Sequence, residues 1–142
     1  MKKTISIVAL LFIIVCLSSC AKEKNFIYYS IREDVASVEI IHVISQWDLE
    51  YEVIYELKEN EDEVFLEKLG EISYVIALFG DPGTIDDAIC VKITYNSGDF
   101  DIVTSSLIVK YDANRTEIKW EELIMDSQNV DKLNELIDEY KK

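Results

Sequence analysis

Tyr51, Val53, Tyr55 and Leu57 alternate with Glu50, Glu52, Ile54 and Glu56. A period of two puts one side of an extended chain in a core and the other in water, so a half-buried strand is predicted here. Two further extended segments precede it: the short β-prone Phe26 to Ile31 (FIYYSI), and Ala36 to Ile44 (ASVEIIHVI), whose faces are mixed. SQWD supplies the turn into the alternating strand. Past Leu57 the period lengthens. Asn60-Glu61-Asp62-Glu63 has the form of a helix start, in which Asn60 accepts from the backbone, Glu63 reaches back and the acids favour the positive end of the dipole. Phe65, Leu66, Leu69 and Ile72 follow at helical spacing, with an end near Gly70.

Strands then return. Tyr74 to Phe79 (YVIALF) is followed by the loop GDPGTIDD and by Ile89 to Tyr95, in which Ile89, Val91, Ile93 and Tyr95 share one face and Cys90, Lys92 and Thr94 the other. Asn96-Ser97-Gly98-Asp99 signals a hairpin turn into Phe100 to Thr104, and Leu107 to Tyr111 comes next. Asp112-Ala113-Asn114-Arg115 marks another turn, before a last short strand through Thr116, Ile118 and Trp120. From about Asp126, Val130, Leu133, Leu136, Ile137 and Tyr140 form the apolar stripe of a C-terminal helix. The expected fold class is α+β: an antiparallel sheet of about five to seven short strands, with a mid-chain helix and a C-terminal helix packed on one face.

The N-terminus stands outside this pattern. Lys2 and Lys3 precede Ile5 to Leu17 (ISIVALLFIIVCL), thirteen residues without a charge. That is the form of a secretory signal; it falls short of the roughly 20 apolar residues of a membrane-spanning helix, and Lys22, Glu23 and Lys24 end it. Leu17-Ser18-Ser19-Cys20 resembles the bacterial lipobox. The resemblance implies cleavage before Cys20, a diacylglyceryl group on its sulfur and attachment to the extracytoplasmic face of the cell membrane. An ordinary cleaved signal or an uncleaved anchor is the alternative. The expected organisation is a lipoprotein signal peptide over 1–19, a lipidated Cys20 and short tether over 20–25, and a single acidic domain over 26–142. Two acyl chains hold where one is marginal, so the anchor needs no help.

Charge and cysteine count sharpen this. The chain has 14 Lys and Arg against 28 Asp and Glu; Lys2 and Lys3 leave with the signal, so the remaining 123 residues carry 12 against 28, a side-chain net charge of -16. Such a domain is a poor partner for nucleic acid, which needs clustered Lys and Arg, and it is repelled by an anionic bilayer. Cys16 goes with the signal and Cys20 to the lipid. Cys90 is left without a disulfide partner and is expected to be buried in the sheet as a small apolar residue.

Phe79-Gly80-Asp81-Pro82, Ile93-Thr94-Tyr95-Asn96-Ser97-Gly98-Asp99 and the Leu133-Asn134-Glu135-Leu136-Ile137 helix ending in Tyr140 are similar to a group of small, uncharacterised secreted proteins of Gram-positive bacteria. The likeness runs from about Asn60 onward and implies no activity.

Candidate chemistry is sparse. A Cys/His nucleophile pair would have to come from Cys90 and His42, and His42 in VEIIHVIS reads first as a histidine satisfied in or beside the core. Zinc wants four Cys or His ligands, and the mature chain would supply too few. Asp81, Asp86 and Asp87 bracket the loop containing Pro82 and Gly83 and are the candidates for a hard cation, although Asp-Pro-Gly is first a turn former. Tyr28, Tyr29, Tyr51, Tyr55, Tyr74, Tyr95, Trp47 and Trp120 are the aromatics available to a binding face. Most are assigned to the core by alternation; Trp47 is expected to be exposed, with packing preferred even there. No cofactor is indicated. The leading expectation is a monomeric, non-enzymatic binding or interaction module, held at the membrane by its N-terminal lipid and acting on a protein or small ligand. An envelope hydrolase using paired carboxylates and an inhibitor or immunity-type protein stand as alternatives.

Overall fold

The structure is a computed structural model that describes residues 22–77 and 83–141. Its elements are β1 (Lys24–Asn25), α1 (Ile27–Ser30), β2 (Val35–Ser45), β3 (Glu50–Glu56), α2 (Glu59–Gly70), β4 (Ser73–Ile76), β5 (Ala88–Tyr95), β6 (Phe100–Val103), β7 (Leu107–Tyr111), β8 (Glu117–Ile124) and α3 (Ser127–Tyr140). The fold is α+β. All eight strands form one sheet in the order β1-β4-β8-β7-β6-β5-β2-β3, and every neighbouring pair is antiparallel.

Alternation along the strands feeds two cores. Val38, Ile40, Val91, Ile93 and Ile108 turn to one face, where Phe26 and Tyr29 of the α1 region, Phe65 and Leu69 of α2, and Leu133, Leu136 and Ile137 of α3 cover them. Ile41, Val43, Cys90, Ile102, Val109 and Tyr111 turn to the other. Among the described residues, no helical residue belongs to that second cluster; Leu49 and Ile85, from the connections, close it. The β2–β3 pairing explains how. Its register shifts between Ile40 and Ile41 and again between Val43 and Ser45, and such bulges bend a strand and increase its twist. The first shift passes over Ile54, so Tyr55 joins the first core and Tyr51 the second, although residues four apart on a regular strand share a face.

The helices end where side-chain chemistry allows. Lys58 is the N-cap of α2, and the Glu61 carboxylate accepts its backbone N–H at 2.9 Å, so Glu61 rather than Glu63 closes the turn and Asn60 lies inside it. At Gly70 an added Cβ would stand 3.1 Å from Ser30 Oγ and 3.3 Å from Ile27 Cα; the missing side chain is what lets α1 lie against the end of α2. Asp126 caps α3 by accepting the Asn129 N–H at 2.8 Å.

The structure corrects the expected strand count to eight. Phe26 to Ile31 is not a strand. Phe26 and Tyr29, three apart, are both buried, and the first core winds this β-prone segment into a helical turn behind the two-residue β1. The last strand also runs on to Ile124, where it pairs with β4. Cys20 and Asp81 lie outside the described residues. Among the described residues, no helix is long and apolar enough to cross a membrane.

Candidate functional site

β6 puts Asp101 on the helix-covered face, opposite Lys110 of β7. Only 3% exposed, it is the one buried charged residue among the described residues. Tyr29 and Tyr95 both donate their phenols to its Oδ2, at 2.9 and 2.8 Å, and Lys110 Nζ stands 3.7 Å away. Burial first, and then the charge of Asp101, raises both phenols well above their ordinary value. The Arg32 guanidinium lies 3.8 Å above the Tyr95 ring and is held by Asp34. Asp101 Oδ2 is thus engaged by two phenols, and the tyrosines beside it are kept protonated. The cluster ties α1 to the sheet. Alongside it an open groove of about 590 Å³ is lined by Lys22, Lys24, Tyr28, Ile31, Tyr74 and Lys110. Glu121 also faces this groove; burial would raise its carboxyl, but Lys119, Lys110 and Lys24 outweigh that and hold it below the usual range.

The second face carries a different arrangement. Gln46, Trp47, Leu49, Tyr111, Arg115 and Glu117 enclose a cleft of about 270 Å³. Trp47 is 91% exposed at its edge, as expected of a residue in this turn, and the preference for packing there does not hold. Its neighbours are fixed: Arg115 donates to the Leu49 carbonyl, the Gln46 N–H donates to Asp86 at 2.6 Å, and Gln46 Oε1 accepts the Ile85 N–H at 3.0 Å. Beside the cleft, Tyr111 stacks on Phe100 with ring centres 5.0 Å apart, and its buried hydroxyl has no hydrogen-bond partner among the described residues. Burial, followed by Glu117 and Cys90, pushes that phenol up to about 12.

The other sequence candidates are dispersed. Asp86 is engaged with Gln46, whereas Asp87 Oδ1 lies 2.8 Å from Nε2 of the partly exposed His42. These two acids therefore anchor a loop to β2 and its turn. Among the described residues, no three His, Cys, Asp or Glu side chains are grouped as metal ligands. Cys90 is fully buried, and burial pushes its thiol up to about 12. Sequence reasoning missed Asp101 and Tyr111. The signal for Asp101 was an acid set between Phe100 and Ile102 in a strand apolar on both sides; Tyr111 carried none, because nothing local marks its hydroxyl as unpaired.

Comparison of the chain with protein-family models, with curated proteins and with solved structures finds no match, so no relative assigns a role to these residues.

Proposed function

We propose that the chain is a lipid-anchored, non-enzymatic binding module on the extracytoplasmic face of the cell membrane, with the Trp47 turn as its contact element. The observation that carries this reading is a tryptophan 91% exposed on a turn whose backbone is clamped on both sides. Exposed Trp side chains are frequent anchors of binding energy, and a clamped turn loses little freedom when a partner closes on it. The cleft beside Trp47 has room for one small group of a ligand or one side chain of a protein. The net negative charge of the domain as a whole favours a basic or neutral partner over an anionic one.

The state of the reactive groups supports binding over catalysis. Asp101 is occupied by two phenols, and the Cys90 thiol is buried and held protonated. Attachment rests on Leu17-Ser18-Ser19-Cys20. Fatty-acid labelling of cells should mark the wild type and leave Cys20→Ala unmarked. A photo-crosslinking residue at position 47 should give a discrete adduct in intact envelopes, and the same residue at the exposed position Glu63 should not. Equal labelling of both chains would remove the anchor; equal adducts at both positions would remove the contact element.

A further inference from the structure

The α1 segment buries Phe26 and Tyr29 but leaves Ile27, Tyr28 and Ile31 exposed by 50%, 48% and 69%. Scattered apolar residues on a surface need no explanation; three large ones within five positions form a patch. Lys22 and Lys24 line the same groove as these three side chains. Aliphatic side chains beside a tyrosine and flanking lysines are what the headgroup layer of a membrane accommodates, with the rings and ammonium groups at its polar edge.

Chain position says which surface is within reach. Cys20 is two residues ahead of Lys22 and seven ahead of Ile27, so a membrane-attached Cys20 keeps Ile27 within about 25 Å of the bilayer even when the chain is fully extended. At that tether length the second contact is intramolecular, and a patch too small to bind vesicles unaided is still engaged. Local charge permits the approach. Lys22, Lys24, Arg32, Lys110 and Lys119 are balanced by Glu23, Asp34, Asp99, Asp101 and Glu121 around the groove, whereas the rest of the domain is strongly acidic.

We infer that Ile27, Tyr28 and Ile31 seat in the interfacial layer of the bilayer that holds Cys20. This rests on attachment through Cys20 and adds an orientation to it. The α1 end of the helix-covered face is then the membrane-facing part, and the acidic helices α2 and α3 and the turn carrying Trp47, which closes over the opposite face of the sheet, are left to the solvent.

The test uses the acylated protein reconstituted in vesicles of phosphatidylglycerol and phosphatidylethanolamine, some of it brominated. An environment-sensitive fluorophore is placed on Ile31→Cys in one sample and on Trp47→Cys in another; Cys90 is buried and does not compete for label. The label at 31 should be quenched several-fold more than the label at 47, and Ile27→Ser with Tyr28→Ser should reduce that quenching. Flotation with the vesicles combined with equal quenching at both positions, or with a water-exposed label at 31, would overturn the docking and leave the anchor standing. Failure of the unlabelled protein to float would remove the anchor and the docking together.

Discussion

The Tyr29 hydroxyl donates to Asp101 Oδ2 at 2.9 Å across 72 residues of sequence, and Tyr95 donates to the same oxygen at 2.8 Å. Removing the carboxylate leaves two buried phenols without an acceptor and Lys110 without its neighbouring charge. Asp101→Ala should cost about 2–5 kcal/mol in urea unfolding, because each buried phenol left without an acceptor costs about 1–3 kcal/mol. Tyr29→Phe removes one charge-assisted bond and should cost about 1.5–3 kcal/mol. Because the phenols share one oxygen, Tyr29→Phe and Tyr95→Phe should not add. An Asp101→Ala chain within about 0.5 kcal/mol of wild type would show that the cluster locks nothing.

Asp62 predicts a pH dependence of unusual sign. It lies near the start of α2, where the helix dipole favours a negative charge, yet burial, followed by Glu56 and Glu61, pushes its carboxyl up to about 6, and its buried Oδ1 lacks a partner among the described residues. A carboxyl raised on folding opposes the folded state once ionised. That cost is fully present above about pH 6 and absent below the unfolded value near 4, so this group makes the chain more stable on acidification through that window. Asp62→Asn should therefore stabilise by about 1 kcal/mol at pH 8, a figure discounted for solvent access. Urea midpoints at pH 8 and pH 4 decide: equal stabilisation at both would assign the gain to packing rather than charge.

Local signals hold where a strand is regular: the two faces of β5 divide between the two cores, and Gly98, with φ of 89°, sits in the hairpin turn that its neighbours announce. The acids of β3 mark a strand, but its expected single core face is broken: Val53 is 49% exposed, and the register shift sends Tyr51 and Tyr55 to opposite cores. Phe26 to Ile31 misled because its residues favour strands, while burial of Phe26 and Tyr29 three apart decided the conformation. Asp101 was hidden for a related reason. In a sheet covered on one side, an acid alternating with Phe100 and Ile102 would face water; here that side is the helix-covered core, and its phenolic partner Tyr29 is far away in sequence.

Cys90 offers a test of the second core. Enclosed by Ile41, Ile102 and Val109 and with its thiol raised to about 12, it should be about one part in 10⁴ thiolate at pH 8. In a chain of residues 22–142, a disulfide reagent should leave it unmodified while the protein is folded and titrate one thiol in denaturant. Rapid reaction of the native chain would mean that the second face opens readily. Cys90→Ser, which sets a hydroxyl among aliphatic side chains, should cost about 1–3 kcal/mol.

Leu49 sets two local rules against each other. Its φ of 47° is left-handed, a conformation that costs a residue with a side chain about 1–2 kcal/mol and that glycine adopts freely. Its side chain, however, is buried in the second core, and its carbonyl accepts from Arg115. Loss of a buried leucine costs about 2–5 kcal/mol, so burial outweighs strain and Leu49→Gly should be destabilising. Leu49→Ala loses nearly the same burial and keeps the strain. The alanine variant should therefore be the less stable of the two by about 1 kcal/mol, the reverse of the order expected in a helix or strand. Thermal unfolding of both chains reads this directly. If alanine proves the more stable, the backbone at 49 is not left-handed, and the clamp that presents Trp47 is built differently.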